Sequence, residues 1–194
     1  MTSQFAFLLG ENIYLRPLCI EDSEGPYISW FNDEEVCRGN QHHTYPYTLD
    51  DAKEFILTSH DKKHEKLILA IILKNENIHI GNISLHNINP IVKSAELSLI
   101  IGDKSYWGKG IGKEACKLIC DHAFNSLNIS RISCGTFEPN IGMIKIAQYL
   151  GMKKEGCRRN AAFKNGKYID VIEFGVLKEE YKLHGINQRG IENE

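Results

Sequence analysis

Tyr106-Trp107-Gly108-Lys109-Gly110-Ile111-Gly112-Lys113-Glu114-Ala115 stands between a run with the period of a strand and a run with the period of a helix. Its glycines fall at alternate positions, so the backbone can take φ > 0 and several N–H groups are left uncovered by side chains. Where such a turn opens a helix, those N–H groups and the positive end of the helix dipole converge on one point. An anion there gains ~0.3–2 kcal/mol. The guest this arrangement suits is a phosphate or pyrophosphate. Two familiar phosphate loops do not fit. A P-loop requires Gly-x-x-x-x-Gly-Lys-Ser/Thr, but Gly112-Lys113 is followed by Glu114, and Gly102 lies one residue too far from Gly108-Lys109. The dinucleotide fingerprint fails because its third glycine falls at Lys113, and no βαβ unit with an acidic ribose ligand follows. A plain glycine-rich turn is the competing reading, and the flanking chain decides between them.

On the N-terminal side, Ser94 to Ile101 alternates, with Ala95, Leu97, Leu99 and Ile101 on one face and Glu96, Ser98 and Ile100 on the other. On the C-terminal side, Gly110 to Phe124 places Ile111, Ala115, Leu118, Ile119, Ala123 and Phe124 along a helical stripe. Further back, Leu67 to Leu73 and Ile78 to Ile88 flank the turn Lys74-Asn75-Glu76-Asn77 and read as a hairpin. Asn12 to Arg16 is a short strand stopped by Pro17, and Glu21 to Phe31 carries Tyr27, Ile28, Trp30 and Phe31 at helical spacing behind an acidic first turn. Residues 32–47, with a His-His pair and Pro46, read as loop. Thr48-Leu49-Asp50-Asp51 reads as a capping box before a helix with Ala52, Phe55 and Ile56 on its apolar face. Beyond the glycine turn come a strand, Arg131 to Phe137, and a helix, Asn140 to Leu150, closed by Gly151. A hairpin follows, Lys153 to Phe163 with Lys167 to Leu177, turning at Asn165-Gly166.

Composition limits the function classes. The 194 residues are 42% hydrophobic and 25% charged, which suits one domain with a real core over residues 1–181 and a polar tail over 182–194. A net charge of -2 provides no basic field for nucleic acid or anionic lipid. The start has no basic n-region, and the run Leu67 to Leu73 is far too short to span a bilayer, so no membrane partner and a cytoplasmic location are expected. The six cysteines, Cys19, Cys37, Cys116, Cys120, Cys134 and Cys157, form no Cys-x-x-Cys pair and lie in segments read as core. Reduced buried thiols are therefore expected rather than disulfides or a metal.

Several separate motifs then stand in register with one family. Arg16-Pro17-Leu18, Trp30-Phe31-Asn32-Asp33-Glu34-Glu35-Val36, Ile80-Gly81-Asn82-Ile83 and the glycine loop from Trp107 to Ala115 are followed by Asn140 with Leu150-Gly151-Met152, Glu155-Gly156 and Gly166-Lys167-Tyr168-Ile169-Asp170. Over about residues 11 to 181 the chain resembles the GCN5-related N-acetyltransferase (GNAT) superfamily, and more closely its RimJ/RimL-like branch. The resemblance implies an α+β fold, a mixed, mostly antiparallel central sheet of about seven strands flanked by helices. Its order is strand, helix, helix, three strands, helix, strand, helix, two strands.

The resemblance also implies acetyl-CoA as co-substrate, and no metal. Family members hold the pyrophosphate on main-chain N–H groups of the loop that here comprises Trp107, Gly108, Lys109, Gly110, Ile111, Gly112 and Lys113. Their pantetheine arm pairs with the backbone of the strand around Leu99, Ile100 and Ile101, which needs main-chain groups left open where this strand parts from the next. Asn140 matches a family asparagine that contacts the arm, and as an N-cap it also suits the helix after Pro139. Trp107 replaces the Arg or Gln that usually begins the loop motif.

The reaction implied is attack of a neutral amine on an acetyl thioester. Holding two reactants in line supplies ~7–11 kcal/mol, whereas one acid or base gives ~10²–10⁴-fold, so proton-transfer residues are free to vary. They do vary here: Ala147 stands where many members have a tyrosine acid and Met143 where RimL-type members have a serine, leaving Tyr149 or solvent. For the base, Glu96 is a carboxylate on the strand beside the expected thioester; an ordinary strand glutamate paired with a lysine is the alternative. Glu138 is a second candidate. His42 and His43 lie in the loop, His60 and His64 have metal spacing without a third ligand, and Cys134 is a core position.

The acceptor expected is a small-molecule amine or a peptide N-terminus. Trp30-Phe31-Asn32-Asp33 and Ile101-Gly102-Asp103-Lys104-Ser105 resemble members that acetylate a nucleotide-linked amino sugar, and a ribosomal-protein-type N-terminal acetyltransferase is the rival. A non-catalytic CoA-binding module and a nucleotide-binding regulatory domain are the readings outside this class. A monomer or homodimer is expected.

Overall fold

The computed structural model describes residues 6–59, 61 and 64–181. Its strands are β1 (Leu8–Leu9), β2 (Ile13–Pro17), β3 (Leu67–Leu73), β4 (His79–Asn89), β5 (Ser94–Ile101), β6 (Arg131–Phe137), β7 (Lys153–Lys164) and β8 (Lys167–Leu177). The helices are α1 (Tyr27–Phe31), α2 (Leu49–Ser59), α3 (Ile111–Asn125) and α4 (Ile141–Tyr149). All eight strands form one sheet in the order β1-β2-β3-β4-β5-β6-β8-β7. β5 and β6 run parallel, joined through α3, and the other pairs are antiparallel. The strand beyond the expected seven is β1, whose two residues are too few to carry an alternation.

The two-residue period divides the core in two. Leu97 and Ile83 face α3 and α4 with Ile119 and Phe124, whereas Ile68, Ala70 and Ile72 face α1 and α2 with Tyr27, Trp30 and Ile56. Two glycines permit close contacts that align β5. A Cβ on Gly81 would lie 2.2 Å from the Ile100 carbonyl oxygen, and one on Gly102 would lie 1.9 Å from the Trp30 ring. Trp30 therefore packs directly on the end of β5.

Local signals hold at several points. Thr48 and Asp51 exchange the bonds of a capping box, with Thr48 N–H donating to Asp51 Oδ2 at 2.8 Å and Asp51 N–H to Thr48 Oγ1 at 3.2 Å. α4 ends in a Schellman pair, Gly151 N–H to Gln148 O and Met152 N–H to Ala147 O, with Gly151 at φ 72°. Asn165 and Gly166, at φ 50° and 76°, make the tight β7–β8 turn.

Three expectations need correction. The helix read over Glu21 to Phe31 is two pieces, a 3-10 turn at Ile20–Glu24 and α1, separated by Gly25-Pro26 because Pro26 lacks an N–H to continue the ladder. Phe55 is exposed, and α2 buries Ala52, Ile56 and Ser59 instead. The cysteines are not all core: Cys37, Cys116, Cys120 and Cys134 are buried, Cys19 is half-buried and Cys157 is exposed. The polar tail over 182–194 lies outside the described residues.

Candidate active site

β5 and β6 pair only through Ser94–Arg131, Ala95–Ile132 and Glu96–Ser133, and the strands part beyond Glu96. Gly102 N–H donates to Ile80 O at 2.9 Å, so by alternation the main chain of Ile100 is turned to β4, where it stands opposite Asn82. The main chains of Leu97, Leu99 and Ile101 are turned to the opening. Of the three residues expected to meet a pantetheine arm, Leu99 and Ile101 present their polar groups to the gap and Ile100 does not. The reason Ile100 differs is the pleat, which turns its main chain to β4.

The glycine loop sits above this opening. Gly108 and Gly110 have φ 74° and 83°, and no atom lies within 4 Å of where a Cβ on either would stand. Gly112 serves packing, since a Cβ there would be 3.1 Å from both Leu99 Cδ2 and Ile146 Cδ1. Its lack of a side chain lets α3 approach β5 and α4. Gly110 is the N-cap of α3 with no side-chain cap, so first-turn N–H groups from Ile111 onward are available to an anion. The lysines lean on rings: Lys109 Nζ lies 5.1 Å from the Tyr106 ring centroid, and Lys113 Nζ 5.1 Å from that of Tyr149.

Trp107 has a bond of its own. Its indole N–H donates to the Ile101 carbonyl at 2.8 Å, and the Arg38 guanidinium lies 5.6 Å from the ring centroid. On the other wall, Thr136 of β6 is 2% exposed, and its Oγ1 has no hydrogen-bond partner among the described residues. Open main chain along β5 and an open αL cradle fit a ligand that carries both amide and phosphate groups. Leu99, Ile101 and the loop from Gly108 to Lys113 would hold acetyl-CoA.

Glu96 stands where the strands begin to part, and its Oε2 accepts from Asn87 Nδ2 at 3.0 Å. Asn140 caps α4, its Oδ1 accepting from Met143 N–H at 3.2 Å, and its amide packs against Gly39 of the loop. Met143 is 8% and Ala147 0% exposed, both in the core between α4 and the sheet. Tyr149 packs on that same side of the sheet beside Lys113, whereas the alternation of β5 turns the Glu96 side chain to the other. The two expected catalytic residues are therefore not brought together.

A cleft of about 520 Å³ opens among Arg38, Glu138, Pro139, Lys164, Lys167 and Asp170. Lys164, 8% exposed, donates to the His42 carbonyl and ties the β7–β8 hairpin to the loop. Burial, and then the Lys164 charge, hold the His42 imidazole below its usual pKa. Sequence reasoning named Glu138 and His42, took Lys167 only as part of a motif, and passed over Thr136, Arg38 and Lys164. No local spacing marks them, since they meet only in the fold. His60 lies outside the described residues and His64 is exposed. Among the described residues no three His, Cys, Asp or Glu side chains gather as a metal site, and no helix is long and apolar enough to cross a membrane.

A family model described as Acetyltransferase (GNAT) domain matches residues 12–153. The protein named Uncharacterized N-acetyltransferase p20 of Bacillus licheniformis is 30% identical over 177 residues, 90% of this chain and 97% of that protein. The spermidine N(1)-acetyltransferase of Escherichia coli (strain K12) is 26% identical over 171 residues, 88% of each chain. The fold is that of the Vibrio cholerae spermidine N-acetyltransferase solved with CoA and spermine. There the TM-score is 0.78 at 23% identity, covering 88% of this chain and 98% of that one. Sheet, parted strands and loop thus agree with sequence similarity that runs through most of the chain: it belongs to the GNAT acetyltransferase domain family and is an acetyl-CoA-dependent N-acetyltransferase.

Proposed function

We propose that the acceptor is the primary amine of a nucleotide-linked amino sugar and that Glu96 is the base which takes its proton. The observation that carries the acceptor class is the convergence of Arg38, Lys164 and Lys167, from the loop and the hairpin, on one cleft. A diphosphate suits three cations, and the two carboxylates there, Glu138 and Asp170, suit the hydroxyls of a sugar. Asp170 is partly engaged already, its Oδ1 accepting from Asn160 N–H at 2.9 Å. A polycation such as spermidine would meet like charge in this cleft. The same reading keeps the chain on the RimJ/RimL-like branch through the motifs around Trp30 and Gly166.

Acetyl-CoA, when bound, supplies an acetyl thioester. The residues of this chain then position it. The N–H groups from Gly108 to Lys113 would hold the pyrophosphate, while the main chain of Leu99 and the N–H of Ile101, whose carbonyl is taken by Trp107, would pair with the arm. Glu96 accepts a proton from the acceptor ammonium, leaving a nitrogen lone pair free to attack. Ala147 and Met143 offer no acid, so Tyr149 or water returns a proton to the departing sulfur.

Thiol release with a uridine-diphosphate amino sugar, spermidine and a peptide N-terminus tests the acceptor. Turnover is expected with the first, and Lys167→Ala should raise its KM while leaving acetyl-CoA affinity unchanged. Preferred turnover of spermidine or of the peptide would overturn the acceptor class, and binding of acetyl-CoA with no thiol release from any amine would favour a passive module.

A further inference from the structure

β4 carries a polar group that this mechanism leaves unused. His86 stands directly opposite Glu96 in the β4–β5 register, on the face that also carries Ser84. Ser84 Oγ lies 2.8 Å from His86 Nε2, and in the tautomer whose Nε2–H donates to Ser84 Oγ, Nδ1 is the ring atom able to take up a proton. The next residue breaks the ladder. Pairing is irregular between His86 and Asn89, and Asn87 takes φ 50°, a conformation that asparagine tolerates better than most residues. The bulge brings the Asn87 amide to Glu96, where Nδ2 donates to Oε2 at 3.0 Å. His86 and Asn87 also line a surface cleft of about 420 Å³ with Glu65, Lys66, Ile88 and Asn89.

We infer that these residues form a proton exit behind Glu96, in which Asn87 fixes the carboxylate and His86, steadied by Ser84, passes the proton from Glu96 to water in the cleft. The inference rests on Glu96 being the base. An N–H bond of the ammonium breaks as a Glu96 O–H forms. That O–H gives its proton to a bridging water, which passes one to His86 Nδ1 across the register pair, and the imidazolium releases its proton to cleft water. No electrons change hands, and the Glu96 carboxylate is restored for the next turnover.

The charged groups around the pair suit this role. Burial holds the His86 imidazole below its usual pKa, so it is neutral near pH 7 and able to accept; Glu96 of β5 opposes that shift and Lys66 adds to it. Glu65 joins Lys66 at the cleft. From β6, the Cys134 thiol is pushed up to about 12 by burial and by the Glu96 charge, so it stays protonated and takes no part.

Three measurements on the intact protein test the exit. His86→Ala should lower kcat below neutral pH by less than the ~10²–10⁴-fold expected of Glu96→Gln, leaving the Kd of acetyl-CoA unchanged. Added imidazole should restore the lost rate. By NMR of ring-labelled histidine, the His86 titration midpoint should fall in Glu96→Gln, because a carboxylate that favours the imidazolium has been removed. A His86→Ala enzyme with normal kcat, a loss that imidazole does not restore, or a His86 midpoint indifferent to Glu96→Gln would overturn the inference. If Glu96→Gln keeps its kcat the base itself is wrong; if Glu96→Gln fails and His86→Ala does not, only the exit is wrong.

Discussion

The indole N–H of Trp107 donates to the carbonyl of Ile101 at 2.8 Å, and this bond ties the glycine loop to the open edge of β5. It occupies the last β5 carbonyl that faces the parted strands, and it holds the residue before Gly108 against the end of β5. Trp107→Phe keeps most of the ring contact with the core but removes the donor. A neutral hydrogen bond is worth ~0.5–1.5 kcal/mol net, so acetyl-CoA affinity should fall by about two- to tenfold as the loop loses order. Calorimetry checks this, and an unchanged Kd would show that the bond does not organise the cradle.

Gly110, at φ 83° with open space where its Cβ would be, is the position at which a side chain should hurt binding most. Gly110→Val places a β-branched residue in the left-handed region, costing ~1–2 kcal/mol or more, and puts methyl groups where the pyrophosphate is expected. Acetyl-CoA binding should weaken well beyond any loss of Tm. Lys109→Ala should matter much less, since Lys109 lies over the Tyr106 ring and the binding groups are main-chain. A folded Gly110→Val protein with an unchanged Kd would remove the loop assignment.

Glu96→Gln preserves shape and the contact from Asn87 while removing basicity. Near neutral pH kcat should fall by roughly 10²–10⁴-fold, with acetyl-CoA still bound. The deficit should shrink as pH rises, because an amine that is already neutral needs no base. A pH profile of kcat for both enzymes decides it. Near-normal turnover below pH 7 would redirect attention to Glu138.

Asp22 controls the acid limit of stability. It is 8% exposed and receives Arg16 Nη1 and Nη2 at 2.8 and 2.6 Å, with His79 Nδ1 at 3.3 Å from the same carboxylate. Burial alone would raise its pKa, but the bonds from Arg16 and His79 outweigh burial and hold it well below the usual carboxylate range. A depressed folded pKa means that its contribution is complete above the unfolded value of ~3.9 and is lost as pH falls toward the folded one. Asp22→Asn should therefore cost about 3–5 kcal/mol at neutral pH by stranding Arg16, and the mutant's stability should depend less on pH below 4. Urea unfolding at pH 7 and pH 3 reads both effects. Equal losses at the two pH values would contradict this account.

What the chain determines locally, it determines by contiguous spacing. The alternation of Ser94–Ile101 places that strand and both its faces, Thr48 with Asp51 starts α2, and Asn165-Gly166 closes the last hairpin, because period, cap and positive φ are properties of neighbours in sequence. The glycine loop was legible for the same reason. Even so, Glu21 to Phe31 read as one helix because aromatic spacing masked the break at Gly25-Pro26. The site's remaining features depend on which strands pair and where pairing stops. Only the fold ends the β5–β6 ladder at Glu96–Ser133, turns the main chain of Ile100 away from the opening and leaves Thr136 Oγ1 without a partner among the described residues. It alone sets His86 opposite Glu96 and brings Arg38 to Lys164 from the far end of the chain. Register and convergence of this kind are set by long-range packing, for which no single segment carries a signal.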